Sequence, residues 1–537
     1  MIQFRPSSPR GRVVTFVLAL LGTAVLAFGP NPEGLSLRGQ YALATMFFAG
    51  SLWVTGAFPL AVTALSIPVL LTTFGVYPDL DAALVGFADH LIFLFVAGFM
   101  LANALQKYDI DRRIALWILS VMGTSPRRLV LSVMVATAFL SMWVSNTATT
   151  AMMTPIAVGV LAQVVGQEGV VEAATNVDDV DSEVTTDGGI AVDDGFRNIQ
   201  VAMLLGTAYA ASVGGVGTLI GTPPNAVLAS QLNEMLGYEV GFAQWMLIGL
   251  PIVVITLPII WYVLTYWLYP PEIDDVSDAR DEAKQYLAEE GNLGPRGRRV
   301  AIIFTATALL WVVGGLDDFV APALPDAWAV TLFGGEGTSV MGVEGHQGVL
   351  YYVMVGLASI PALVLADTME WDELADIDWG TILLFGGGIA LADALEATGA
   401  TKWIADSVFG SLTGAPIVLV VAVVVLLVIF LTEMTSNTAT ATIIAPLLIS
   451  IGSVFAATLG LTDVAAAVFL AVSGTIAASF AFALPVATPP NAIVFGSGYL
   501  KQSQMMRAGV LLNLLMTAIL TGLIWLLFRF VWPQVLW

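Results

Sequence analysis

The chain has 537 residues, 58% of them hydrophobic and only 11% charged, and its apolar runs are too long and too numerous for a soluble core. Acidic residues outnumber basic ones, 41 against 19, for a net charge of -22, so no nucleic-acid partner is expected. With no cysteine and two histidines, disulfides, thiolate sites and cysteine nucleophiles are excluded, little is left from which to build an intramembrane enzyme, and no organic cofactor is expected.

A spanning helix needs about 20 mostly apolar residues. Residues 1–37 read as a cytoplasmic tail and a first span near 13–29; Arg5, Arg10 and Arg12 precede it as in a signal peptide, but Gly29-Pro30-Asn31-Pro32 is not a small-residue cleavage site. Residues 38–269 form a first repeat, with spans near 38–56, 59–76 and 89–107. An apolar stretch at 129–165 follows, with Ser145-Asn146-Thr147 at its middle. Each half of it, about 17 residues, is short for a crossing, which predicts a re-entrant helical hairpin. Nine acids and a single Arg197 mark 168–197 as a solvent-exposed insertion on the cytoplasmic side. Residues 198–235 predict a helix broken around Gly221-Thr222-Pro223-Pro224-Asn225, and 243–268 a plain span. Residues 270–299 read as a charged cytoplasmic linker.

Residues 300–537 repeat this order: spans near 300–316, 347–367 and 380–398, a hairpin at 416–452 around Ser436-Asn437-Thr438, a helix at 464–498 broken at Ala487-Thr488-Pro489-Pro490-Asn491, and a last span near 506–532. Leu94-Phe95 aligns with Leu384-Phe385 at a shift of 290, the Ser-Asn-Thr copies and the Pro155/Pro446 pair at 291, and Thr222 with Thr488 at 266. The acidic insertion accounts for the difference. With a cytoplasmic N-terminus and an outer C-terminus, sixteen basic residues face the cytoplasm and three, Arg38, Lys402 and Arg529, face outward. An odd number of crossings then separates equivalent points, so the repeats are expected to be inverted, as in many secondary transporters. The expected fold class is an all-α polytopic membrane protein with one extra N-terminal helix, two inverted repeats, about 11 spans and two hairpins.

Small polar side chains in hydrocarbon are costly unless they hold something. Each half offers a Ser-Asn-Thr tip beside a broken helix whose free carbonyls suit a hard cation such as sodium, so one cation site per half is expected. The returning arm of each hairpin begins with unpaired amide hydrogens and a positive dipole end, so an anion fits between the two tips without Arg or Lys. Glu433, whose repeat mate is Met142, invites a proton or cation role, or, the heavier reading, a structural hydrogen bond to a neighbouring helix. Asp393 and Glu396 read as solvated or scaffold-bound, His90 and His346 as interfacial, and Gly386-Gly387-Gly388 and Gly214-Gly215 as places of close helix packing, with loosening of the broken helix a second reading for Gly214-Gly215. An acidic surface with just four lysines suggests a protein bathed in concentrated salt, the alternative being ordinary acidic loops.

On both Ser-Asn-Thr motifs, both Thr-Pro-Pro-Asn-Ala motifs and their order, nearly the whole chain resembles the divalent-anion/sodium symporter family, the bacterial relatives of the animal dicarboxylate and citrate carriers. The resemblance implies a first sodium site at Ser141, Ser145, Asn146 and Gly221 and a second at Thr432, Ser436, Asn437 and Ala487. It implies a substrate site at Asn146, Thr147, Asn437 and Thr438, floored by Thr222, Pro223, Thr488 and Pro489. It further implies sodium-coupled symport of dicarboxylates such as succinate, malate or fumarate by a homodimer working as an elevator in the cytoplasmic membrane. Sodium-independent exchange, or carriage of citrate or sulfate on the same fold, is the alternative. A channel would require a continuous polar stripe, which the sequence lacks.

Overall fold

The computed structural model describes residues 8–121, 125–165, 194–271, 277–334, 339–340, 343–344, 347–404, 407, 416–456 and 461–532. The acidic insertion up to residue 193 and His346 lie outside the described residues. The described chain is all-helical apart from one short ladder, Ser339–Val340 with Val343–Glu344. Eight of its helices are long and apolar enough to cross a membrane: Pro9–Phe28, His90–Lys107, Arg197–Gly217, Phe242–Leu268, Pro295–Gly314, Trp379–Ala397, Asn437–Val454 and Gln502–Phe530. Shorter apolar helices are Leu60–Thr73, Tyr352–Leu365, Ile417–Thr432 and Asp463–Ala477.

Local chemistry sets the helix ends. Ser36 caps the helix Leu37–Thr55 by accepting the Gly39 amide, and Gly56 ends it in the left-handed conformation at φ 57°. Asp89 caps His90–Lys107 through the Leu91 amide at 2.7 Å. The stretch around the first Ser-Asn-Thr folds as two helices, Pro126–Ser141 and Asn146–Val165, joined by a turn at 142–145. Its counterpart is Ile417–Thr432 and Asn437–Val454. Pro155 and Pro446 lie inside the two returning arms.

The helix breaks lie a turn earlier than the prolines suggest. The first runs Asp194–Gly214, tightens into a 3-10 turn at Gly215–Gly217, and resumes at Pro223–Leu236. The second runs Asp463–Ala477 and resumes at Pro489–Gly496. In both, the Pro pair occupies the first positions of the new segment, where a missing N–H costs nothing and the fixed φ suits the helix. Asn225 and Asn491 therefore belong to the resumed helices rather than to the gaps.

The linker at 270–299 is also more ordered than its charge suggests, since Ser277–Glu289 is a helix. Arg113 holds its end, donating to the carbonyls of Gly291 at 2.6 Å and Glu290 at 2.7 Å, while Arg112 pairs with the Glu290 carboxylate at 3.0 Å. The helix rests on Ile110–Val121 and on the first hairpin's returning arm.

Glycines bring helices together as read from the sequence. A Cβ on Gly387 would stand 2.7 Å from Ala64 on the helix Leu60–Thr73, and one on Gly214 would stand 2.3 Å from the Ala138 carbonyl of the first hairpin. The outgoing arm of the first hairpin packs along Asp194–Gly214, and the returning arm of the second along Asp463–Ala477. The resumed segments cross over: Pro223–Leu236 packs on the second hairpin's returning arm, and Pro489–Gly496 on that of the first. Each half thus braces the other around one centre. Leu60–Thr73, His90–Lys107, Tyr352–Leu365 and Trp379–Ala397 pack among themselves beside it, and Trp379–Ala397 touches Pro223–Leu236.

Candidate functional site

At the first tip, the Ser141 hydroxyl donates to Asn146 Oδ1 at 2.6 Å and also lies 2.7 Å from the Ala211 carbonyl of the adjacent broken helix. At the second, the Thr432 hydroxyl stands 2.7 Å from Asn437 Oδ1 and 3.0 Å from the Ala478 carbonyl. Hydroxyl, amide oxygen and backbone carbonyl therefore converge twice in the same pattern. Ser141 and Thr432 are fully buried, so their hydroxyls are shielded from bulk water, while Asn146 and Asn437 are half-buried. Ser145 Oγ caps the first returning arm through the Ala148 amide at 3.2 Å, whereas Ser436 makes no such cap.

The breaks are pinned by the last residue of each Thr-Pro-Pro-Asn motif. Asn225 donates to the carbonyls of Gly215 at 2.9 Å and Thr218 at 2.7 Å; Asn491 donates to those of Ala481 and Leu484, both at 3.1 Å. All three positions of the first set map onto the second at the 266-residue shift. Other helices satisfy carbonyls that the breaks expose, Trp245 donating to Val216 at 2.9 Å and Tyr209 to Phe482 at 2.8 Å. The Thr218 hydroxyl ties the first break to the hairpin turn at the Met142 carbonyl.

Gly215 shows how tightly the first half-site closes. A Cβ there would fall 2.4 Å from Asn146 Oδ1 and 3.1 Å from both the Gly221 carbonyl and Thr222 Cβ. The structure thus brings together Ser141, Asn146, Gly221 and Thr222 from the first expected set. From the second it joins Thr432 and Asn437, with Ala487 and Thr488 buried in the adjoining break. Thr147 and Pro489 are exposed while Thr438 is 8% exposed, and Val486 is 84% exposed where its repeat mate Ile220 is 6% exposed. One flank of the centre is therefore open and the other covered, with Ile220 against Gly98 of the helix His90–Lys107.

Sequence reasoning missed Ala211, Ala478, Gly215 and the pinning asparagines as parts of the site. The repeated Asn of Thr-Pro-Pro-Asn was the available signal; carbonyl partners leave none in side-chain patterns. Glu433 accepts hydrogen bonds from three backbone amides of the second break and from Asn513 of the last helix, the structural role given more weight above. Asp89, Glu234, Asp393 and Glu396, from three helices, are electrostatic neighbours. Among the described residues no group of His, Cys, Asp and Glu has the makings of a metal centre.

Residues 11–537 match the family model described as the sodium:sulfate symporter transmembrane region. A sodium-dependent dicarboxylate transporter SdcS of Staphylococcus saprophyticus is 32% identical over 520 residues, covering 96% of this chain and 91% of that protein. An uncharacterized transporter of Haemophilus influenzae is 35% identical over 512 residues, covering 95% and 94%. Among solved structures, the YdaH transporter of Alcanivorax borkumensis aligns with a TM-score of 0.52 at 14% identity, covering 98% of both chains. MtrF of Neisseria gonorrhoeae aligns at 0.51 and 13%, covering 96% of both. At such identities these two likenesses speak to the fold alone.

Proposed function

The chain belongs to the sodium:sulfate symporter family of membrane transporters, the divalent-anion/sodium symporters, and from that premise we propose that it couples sodium to the uptake of dicarboxylates of the succinate, malate and fumarate class. The observation that carries this reading is the pair of matched oxygen clusters, Ser141–Asn146–Ala211 and Thr432–Asn437–Ala478. Relatives named as sodium-dependent dicarboxylate transporters support the choice of ions.

In each half, neutral hard oxygens from hairpin and broken helix hold one sodium: Ser141, Ser145, Asn146 and Gly221 in the first, Thr432, Ser436, Asn437 and Ala487 in the second. Because Asn146 and Asn437 turn Oδ1 toward a hydroxyl, their Nδ2 hydrogens are the ones left to donate to a substrate carboxylate. Sodium on Oδ1 would fix both amides and offset the charge of the incoming anion, so cation binding prepares the anion site. Thr147 and Thr438 complete the contacts, and Thr222, Pro223, Thr488 and Pro489 form the floor. The cross-braced hairpins and broken helices move as one block past the remaining helices in a homodimer, in an elevator motion within the cytoplasmic membrane. Inverted halves, a cytoplasmic N-terminus and an outer C-terminus accord with the distribution of basic residues.

The test is uptake and counterflow of labelled succinate in proteoliposomes, with sodium or choline, challenged by unlabelled malate, fumarate, citrate and sulfate. Sodium-dependent succinate uptake is expected. Counterflow that ignores sodium would make the protein an exchanger, and competition by sulfate alone would move it to the inorganic anion.

A further inference from the structure

Glu433 stands beside Thr432 and is 4% exposed. Its Oε1 accepts from the amides of Phe482 and Ala483, each at 2.6 Å, and from Asn513 Nδ2 at 2.7 Å; Oε2 accepts from the Leu484 amide at 2.9 Å. All four contacts are donated to the carboxylate, three of them by backbone amides, which can only donate. No ion pair to Glu433 exists among the described residues. The matching position in the first half is Met142, whose side chain lies against Gly217 and whose carbonyl takes the Thr218 hydroxyl. Otherwise the two breaks are built alike, with Asn225 and Asn491 bonding equivalent carbonyls. One half-site therefore carries a built-in carboxylate and the other a thioether.

We propose that Glu433 is a fixed counter-charge that makes the second cation site the tighter of the two and the first to fill. The proposal rests on the reading of Thr432, Ser436, Asn437 and Ala487 as a sodium site. Amide dipoles hold the carboxylate but do not cancel its net charge, and in a low-dielectric interior the uncancelled field favours a cation in the adjoining oxygen cluster. Three of these bonds anchor residues 482–484, and the fourth ties the carboxylate to Asn513 of the last helix. That anchoring fixes the peptide between Ala478, whose carbonyl meets the Thr432 hydroxyl, and Ala487, the backbone residue assigned to the site. Glu433 is thus a positioning residue as well as a source of charge, and it touches no substrate.

The test follows the thermal unfolding midpoint of the purified full-length protein against NaCl, with choline chloride holding ionic strength constant. Wild type is expected to be stabilised by sodium. Glu433→Gln is expected to need about tenfold more sodium for half the effect. Glu433→Asp, which keeps the charge, is expected to return most of the way to wild type. A Glu433→Gln protein that titrates at the wild-type sodium concentration overturns the proposal; so does an equal shift in both variants, which would reduce Glu433 to a clamp. Should Glu433→Gln fail to fold, the same titration of Ser141→Ala and Thr432→Ala decides. Tighter remaining binding in Ser141→Ala supports the asymmetry, and the reverse order overturns it. Failure of the underlying sodium reading looks different: wild type itself would gain no stability from sodium over choline.

Discussion

Gly215→Ala puts one methyl group where the first half-site has no room. The added carbon would lie 2.4 Å from Asn146 Oδ1, against an ordinary contact of 3.4 Å or more, so the amide must retreat by about 1 Å. Asn146 Oδ1 is the end of a side chain and can move, but moving it breaks the 2.6 Å bond from Ser141. Overpacking together with one lost hydrogen bond costs about 1–3 kcal/mol, which is roughly 5- to 150-fold in sodium affinity if the loss falls on the bound state. The assay is sodium dependence of succinate uptake in proteoliposomes, with thermal unfolding as the check on fold. The mirror variant Ala481→Gly adds no atom and should move the sodium midpoint by less than about threefold. Equal sodium midpoints for Gly215→Ala and wild type would refute the assignment of Asn146 to a cation site closed by the first break.

Asn146→Ala and Asn437→Ala should each abolish sodium-dependent succinate uptake in proteoliposomes while elution profile and helicity stay those of wild type. Asn225→Ala and Asn491→Ala each remove two buried hydrogen bonds across a break and should destabilise the protein by about 2–4 kcal/mol, read as a lowered unfolding midpoint in detergent. Arg113→Ala frees the end of the helix Ser277–Glu289 and should speed protease nicking near Gly291, read by gel, without loss of uptake. Deleting residues 170–195 should leave uptake largely intact, since the second half has no counterpart to that segment.

Much of this architecture was legible because hydrocarbon makes polar residues conspicuous. Two Ser-Asn-Thr motifs in apolar runs marked where the two helix-turn-helix stretches fall, and the 291- and 266-residue shifts paired their parts in sequence. The breaks were read a turn late because a Pro pair signals interruption from either side, and only the fold shows that these open the resumed segments. The helix Ser277–Glu289 was hidden by its charge, since its support comes from Arg112 and Arg113 about 170 residues earlier rather than from its own composition. The partners of Glu433 were illegible for a similar reason. Three are backbone amides, which every residue but proline carries, and Asn513 lies 80 residues away.

The crossing of the resumed segments bears on how the protein is made. A ribosome that has finished the first hairpin has no Pro489–Gly496 to lay against its returning arm, and Pro223–Leu236 waits equally long for Asn437–Val454. The nascent first half must therefore reside in the bilayer with its polar tip unsupported until nearly the whole polypeptide has been translated. Truncated chains ending before residue 489 should be prime substrates for membrane quality-control proteases.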